Sequence, residues 1–279
     1  MSQQKVQHNI SFLLAVLIWL FTPLALAAEG DEFPGRALYP DVEVISIEQL
    51  KQRLADVQVV DVRSSYEYDT LRIKGAINIP LSDADFATKM ANLRVDNVKD
   101  IVVYCNGKTC MKSYKAAEKC AKEKIPNVYA YDAGIMDWAK AYPDDAELLG
   151  KTLGDPKRLI SKETFKKHLL SPEAFGEKVS STNALVMDVR DRFQRDSLGI
   201  FPGRERRSYL DDTNKLDRMI DKAKQENRTL LIYDASGKQV RWFQYYLENK
   251  GVTDYYFMQG GAHAYYKELT DEFLGTPKQ

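Results

Sequence analysis

The segment KDIVVYCNGKTC (Lys99–Cys110) recurs in the same chain as RTLLIYDASGKQ (Arg228–Gln239). Each is an apolar, β-branched run that reads as a buried strand, ends in a tyrosine and runs into a short polar stretch holding a glycine. One copy sets Cys105 at the strand's end, and the other sets Asp234 there. Working outward, the neighbouring segments repeat in the same order. VISIEQLKQRL (Val44–Leu54) pairs with LISKETFKKHL (Leu159–Leu169), and VQVVDVRSSYE (Val57–Glu67) with NALVMDVRDRF (Asn183–Phe193). IPNVYAYDAGIMDWAKAY (Ile125–Tyr142) pairs with VTDYYFMQGGAHAYYKEL (Val252–Leu269). Asp61-Val62-Arg63 recurs as Asp188-Val189-Arg190 and Gly134 as Gly261, both 127 positions apart. One matched tripeptide is chance; ordered matches along the whole length indicate a tandem duplication.

Each copy alternates strand-like and helix-like segments, the pattern of a mostly parallel sheet flanked by helices. In the first copy the expected strands are residues 42–46, 57–62, 76–80, 100–104 and 127–131. Ser46 is placed to cap the helix that follows the first of them. Helices are expected over 113–124 and after Gly134. The fold class is therefore α/β, with two tandem domains over residues 42–143 and 158–272. The glycine- and proline-bearing stretch Asp144–Lys157 reads as a linker, residues 29–41 as a polar extension and residues 273–279 as a tail. Ahead of these, Lys5 and His8 precede an apolar run from Ile10 to Phe21, and Ala25-Leu26-Ala27 fits a small-x-small cleavage pattern. Residues 1–28 are expected to be a cleaved export signal, the alternative being an uncleaved anchor, which places the folded part in the periplasm.

Composition excludes several classes. The 279 residues carry 40 basic and 40 acidic side chains, so neither nucleic acid nor an anionic membrane is expected as the main partner. Three cysteines are too few for a disulfide scaffold. His168 and His263, the histidines beyond the leader, have no ligand-spaced neighbours, so no metal site is expected.

These motifs together resemble the rhodanese (sulfurtransferase) superfamily. A strand ends in DVR, the GAINIP segment (Gly75–Pro80) follows, a strand delivers a cysteine into a loop that opens a helix, and a Gly134-led helix closes the domain. The resemblance spans about residues 42–272. It implies two modules, the first active through Cys105 and the second inactive, since Asp234 stands at the cysteine position. The pattern departs in two places. Arg72 stands where histidine is common, and two-domain members usually carry the active cysteine in the second module. The reaction implied is attack by Cys105 on a small anionic sulfur donor such as thiosulfate, followed by transfer from a Cys105 persulfide to a thiol or cyanide-like acceptor, with a protein acceptor or reductant as a further partner. No cofactor is implied.

The residues themselves carry the physical reason. A nucleophilic cysteine works as its thiolate, which needs a pKa below the free value of about 8.5. A strand-loop-helix junction supplies converging backbone N–H groups and a helix N-terminus. The expected binding loop is Asn106, Gly107, Lys108, Thr109, Cys110, Met111 and Lys112. Gly107 is expected to supply a left-handed backbone turn, and Lys108 and Lys112 cationic charge near the sulfur. From Tyr104 to Asn127 is 23 positions, against 21 from Tyr233 to Asp254, so the active loop is expected to be two residues longer than its twin. Arg63, present in both copies, reads as a structural partner of Asp61 or as an aid to anion binding. Glu67 reads as loop bracing and Cys120 as a buried structural thiol. Cys110 is either a resolving thiol or a small residue at the helix start. Three alternatives stay open: a thiol-disulfide redox protein using Cys105 and Cys110, a non-catalytic sulfur carrier or partner-binding module, and, more remotely, a phosphatase or arsenate reductase, for which the loop lacks an oxyanion-gripping arginine.

Overall fold

The structure, a computed structural model, describes residues 32–96, 99–181, 183–191 and 199–274. The segment read as a leader lies outside these residues. In the first half the elements are α1 (Pro34–Leu38), α2 (Ile47–Arg53), β1 (Val57–Asp61), α3 (Ser65–Thr70), β2 (Leu71–Ile73), β3 (Ile77–Asn78), α4 (Phe86–Asp96), β4 (Asp100–Tyr104), α5 (Lys112–Lys122), β5 (Val128–Tyr131) and α6 (Gly134–Ala141). A hairpin, β6 (Ala146–Leu148) and β7 (Lys151–Thr152), leads to the second half. That half holds α7 (Lys162–Lys166), β8 (Leu169–Leu170), α8 (Pro172–Ser181), β9 (Ala184–Asp188), β10 (Glu205–Arg207), α9 (Thr213–Gln225), β11 (Thr229–Tyr233), α10 (Val240–Asn249), β12 (Tyr255–Met258) and α11 (Gly261–Phe273).

Two parallel sheets carry the duplication. The first has the order β3-β1-β4-β5 and the second β10-β9-β11-β12-β8. Their registers agree: Asp61 lies beside Tyr104 in one and Asp188 beside Tyr233 in the other. The central strands are buried on both faces, as their apolar runs require, with Val102, Val103, Leu231 and Ile232 inaccessible. Helices cover both faces, so each sheet has two hydrophobic layers.

Three expectations need correction. Residues 42–46 make only a single parallel bridge, Val44 to Ala130, where the second half has the short strand β8. Residues 76–80 pair only at Ile77 and Asn78. The stretch 144–157 is not a loose linker: β6 and β7 join β2 in a three-stranded antiparallel sheet, and Leu148 and Leu153 are buried in the first core. The repeat itself also needs one: Val44 bridges Ala130 and Leu169 pairs with Phe257, the counterpart of Ala130, so Leu169 and not Leu159 stands at the place of Val44, and the match of Val44–Leu54 with Leu159–Leu169 is out of register. Elsewhere the local signals hold. Ser46 caps α2 in a reciprocal capping box with Gln49, and Ser64 caps α3 likewise with Glu67.

Both halves belong to one compact unit that begins at Phe33. Helix α10, from the second half, is the seam. The aromatic run Arg241–Tyr246 lies on it. Phe243 and Leu247 point into the second core, while Trp242 and Tyr245 join the first. Tyr245 Oη accepts from Ile160 N at 3.0 Å, and the Trp242 ring lies 5.0 Å from the Arg63 guanidinium. Such a shared core couples the two halves. Trp242→Ala removes a buried aromatic worth about 3–5 kcal/mol. The expected outcome is a lowered, still single thermal transition by calorimetry; two separate transitions in the wild-type protein would show that the halves unfold independently.

Candidate functional site

Four elements converge at the carboxyl ends of the first sheet's strands, where ligands bind in open α/β sheets. Strand β4 ends at Tyr104, and Cys105 follows at once, wholly buried. The loop 106–111 returns over it, tightened by Cys110 N donating to Gly107 O at 2.8 Å, and α5 starts at Lys112. Helix α6 abuts the loop from the other side, with Ile135 N donating to Cys105 O at 3.0 Å.

That abutment explains the recurring glycine. Gly134 has φ +72°, and a Cβ there would sit 2.3 Å from Gly107 N. Its twin Gly261 has φ +60°, with Asp234 O only 2.5 Å from such a Cβ. The left-handed residue of the first site is therefore Gly134. Gly107 is not among the positive-φ glycines, contrary to expectation, and a Cβ there would meet only Ala133 O at 3.5 Å, an ordinary contact.

The buried DVR arginine braces the loop from below. Arg63 has no exposed surface. Its Nε and Nη2 donate to Asp61 at 2.9 and 2.5 Å, Nη2 also reaches Leu71 O, and Nη1 donates to Asn106 Oδ1 at 3.1 Å. Burial opposes its charge, but the Asp61 carboxylate outweighs that and holds the guanidinium above its ordinary pKa. Of its two readings, the geometry answers to the structural one: the fork is spent on Asp61, Leu71 and Asn106. The twin pair Arg190–Asp188 repeats the geometry, with Nη2 to Oδ2 at 2.8 Å. Asn106 passes the constraint on, its Nδ2 donating to Glu67 Oε1 at 2.8 Å. Burial works against the Glu67 charge, yet Lys112, Arg63 and Asn106 together hold its carboxyl below the ordinary range.

The loop lysines are engaged. Lys108 Nζ is 3.2 Å from Asp137 and 5.4 Å from the centre of the Phe33 ring, and Lys112 Nζ is 3.7 Å from Glu67. Thr109 is exposed at the loop tip, and Met111 packs on the core beneath α5.

The thiols divide the chemistry unexpectedly. Cys105 Sγ lies 3.2 Å from Cys110 O and 3.6 Å from Ser113 Oγ. Burial first, and then the neighbouring Cys110 sulfur, push its pKa well up rather than down as expected. Cys110, partly exposed, goes the other way. Interaction with the Cys105 thiol lowers its pKa to about 6 against the cost of burial, with further help from the Lys112 and Asn106 backbone amides and the Lys112 charge. The more readily ionised thiol of the loop is thus that of Cys110. Both thiols are free. Cys120 lies on the buried face of α5 and is pushed up to about 12 by burial, as a structural thiol should be.

The second loop shows what fills the same cradle when no thiol is present. Asp234 is buried, and its carboxylate accepts from four backbone N–H groups: Ser236 at 2.9 Å, Gly237, Gln239 at 2.6 Å and Val240 at 3.2 Å. Ala262 N donates to Asp234 O at 2.9 Å, as Ile135 N does to Cys105 O. The inactive loop is therefore closed on its own anion. Its sequence signal, Asp followed by Ser-Gly, is that of a carboxylate bonding the amides just ahead of it.

The sequence model of the rhodanese-like domain family matches residues 46–141, which contain every residue of this site. Among curated proteins, the HTH-type transcriptional regulator Rv0324 of Mycobacterium tuberculosis is 37% identical over 103 residues, which is 37% of this chain and 43% of that protein. The tRNA uridine(34) hydroxylase of Photorhabdus laumondii is 29% identical over 143 residues, 50% of this chain and 36% of that one. The chain thus spans less than half the length of these relatives. Among solved structures, a thiosulfate sulfurtransferase from Pseudomonas aeruginosa is 19% identical, with a TM-score of 0.35, covering 84% of this chain and 47% of that chain. A buried strand-end cysteine, a brace of Asp61 and Arg63, and a family match over the same residues agree: the first half of this chain is a rhodanese-like domain.

Proposed function

We propose that the protein is a sulfurtransferase that carries sulfane sulfur as a persulfide on Cys105, with Cys110 as its gate and proton acceptor. The observation that carries this reading is the place of Cys105: wholly buried at the end of β4, its Sγ 3.2 Å from Cys110 O and 3.6 Å from Ser113 Oγ, beneath the loop that opens α5. Of the two thiols, Cys110 is the more readily ionised. A loop of backbone N–H groups at a helix N-terminus over a strand-end thiol is suited to hold the negative outer sulfur of a Cys105 persulfide.

The chemistry follows from the proton positions. Cys105 holds a proton that is directed at Cys110 O, and Cys110 is the more readily ionised thiol of the pair. When a donor such as thiosulfate enters, that proton moves to Cys110, which turns neutral and leaves the cradle. The freed Cys105 thiolate attacks the outer sulfur of the donor, a new S–S bond forms, the donor's S–S bond breaks, and sulfite departs with the electron pair. The negative outer sulfur then takes the loop amides. A thiol or cyanide acceptor removes it and restores the pair. The second half, with its cradle closed by Asp234, serves as support through Trp242 and Arg63.

A thiol-disulfide redox protein is the second reading, favoured by the same hydrogen-bonded pair of sulfurs. Thiocyanate formation from thiosulfate and cyanide, with intact mass after donor treatment, separates the two. Wild type gains one sulfur atom and turns over. Cys105→Ser loses both, and Cys110→Ser, lacking the proton acceptor, keeps the adduct but turns over at least roughly tenfold more slowly. A mass lower by two hydrogens, abolished by either substitution, supports the redox reading instead. An adduct that survives in Cys105→Ser, or no adduct in any form, overturns the proposal.

The gate has its own pH signature. Alkylation of Cys110 by iodoacetamide should rise with pH as the thiolate forms, reaching half its plateau at about pH 6. In Cys105→Ala the supporting thiol hydrogen bond is lost, so the half-point moves up. A wild-type half-point at the ordinary thiol value of about 8.5 contradicts the arrangement.

A further inference from the structure

The second half has lost its thiol, yet it has gained something its twin lacks. Strands β3 and β10 occupy equivalent edges, and their registers align residue by residue. Ile77 pairs with Val60 and Asn78 with Asp61, while Arg206 pairs with Met187 and Arg207 with Asp188. At identical backbone positions, an isoleucine and an asparagine in the first copy are thus two arginines in the second.

These arginines border a cavity of about 390 Å³ between β10 and α9. Leu185 and Met219 contribute apolar surface to it, and its other lining residues are Arg206, Arg207, Lys215, Arg218, Lys222 and Arg228. No carboxylate lines it. Three of the cations have carboxylates outside the cavity: Arg207 reaches Glu205 at 3.4 Å and Asp188 at 3.6 Å, Arg228 reaches Glu226 at 3.2 Å, and Lys222 reaches Glu226 at 3.8 Å. Among the described residues, Arg206, Lys215 and Arg218 have no such ion pair. Arg228 Nε is also buried without a hydrogen-bond partner. With Arg207, Lys222 and Arg228 already paired, Arg206, Lys215 and Arg218 leave the recess with an excess of positive charge while it stays empty. In a chain whose net charge is zero, this concentration is local and sharply contrasted with its twin. Helix α4, the first copy's counterpart on that side, carries Lys89, which is held by Asp83 and Asp85 at 2.7 and 3.0 Å.

We propose that this recess binds a small ligand with two or more adjacent anionic groups, of the diphosphate class. Its volume falls in the range of small-molecule sites, roughly 300–1,000 Å³. Arginine forks grip phosphate-type oxyanions through paired N–H groups, which fits Arg206, Arg207 and Arg218 to such a group. The apolar surface at Leu185 and Met219 has room for an uncharged portion beside it. The site is independent of the Cys105 chemistry, because none of its residues belongs to that loop.

The test is calorimetric titration of the full chain with orthophosphate, pyrophosphate and ADP at low ionic strength, repeated with Lys215→Ala/Arg218→Ala and, separately, Arg206→Ala. All three substituted positions are exposed, so folding is checked by an unchanged thermal transition. The expected result is saturable one-to-one binding of pyrophosphate, tighter than orthophosphate and weakened at least roughly tenfold in the double variant, which is a loss of about 1.4 kcal/mol. ADP binding more tightly than pyrophosphate assigns the apolar surface to a nucleoside; equal binding assigns the site to the diphosphate alone. Absence of saturable binding, or binding unchanged in both variants, overturns the proposal. Cys105→Ser should leave the titration as it is, while a loss of thiocyanate turnover in an otherwise binding-competent protein concerns the first site alone.

Discussion

A loop of backbone N–H groups at the end of a buried strand must find an acceptor. Leaving such donors buried and unpaired costs about 1–3 kcal/mol each. The two halves of this chain meet that requirement with the same backbone and different chemistry. In the second, Asp234 supplies a carboxylate that takes four N–H groups. In the first, Cys105 at the equivalent place is buried with its proton directed at Cys110 O, and Cys110 is the thiol that ionises more readily. A carboxylate is a permanent occupant. A thiolate with a pKa near neutrality can leave by accepting a proton, and only the second kind of occupant makes room for a reaction.

Everything around the active loop serves to hold that cradle in place. The Asp61–Arg63 pair is fully buried, and removing one partner of such a pair costs about 3–5 kcal/mol because it strands the other charge. Arg63 fixes Asn106, Asn106 fixes Glu67, and Glu67 faces Lys112 at the opening of α5. From the far side, Gly134 brings α6 against Gly107 at a distance that no side chain permits. The second half adds Trp242 against the outer face of Arg63. The second half, whose strand-end residue is Asp234, therefore packs against the brace of the first half's loop.

Much of this was legible in the sequence. The repeated strand ends, the DVR pairs and the twin glycines gave the α/β class and the strand-end position of Cys105, because each rests on local patterning. The unequal spacings pointed to the place where the two halves differ, but the first loop is longer by one residue and not two, because the other lengthens the helix: α5 has 11 residues and α10 has 10. Other features needed three dimensions. Gly107 resembled a turn residue, but the positive φ sits at Gly134, since the constraint comes from a helix distant in sequence. Residues 144–157 have a linker's composition, yet Leu148 and Leu153 find a core to fill. The inversion of the two thiols was hidden because pKa follows burial and hydrogen-bond direction, which spacing along the chain does not encode. The arginines at 206 and 207 became informative only when strand register set them against Ile77 and Asn78.

The central claim is that one loop position serves first the Cys110 sulfur and then the outer sulfur of a Cys105 persulfide. A crystal structure of the protein after treatment with thiosulfate tests it directly. The account predicts extra density bonded to Cys105 Sγ, within hydrogen-bond reach of the Asn106 and Lys112 amides, with the Cys110 side chain turned out of the loop. Density bonded to Cys110, with Cys105 still buried and unmodified, would contradict it.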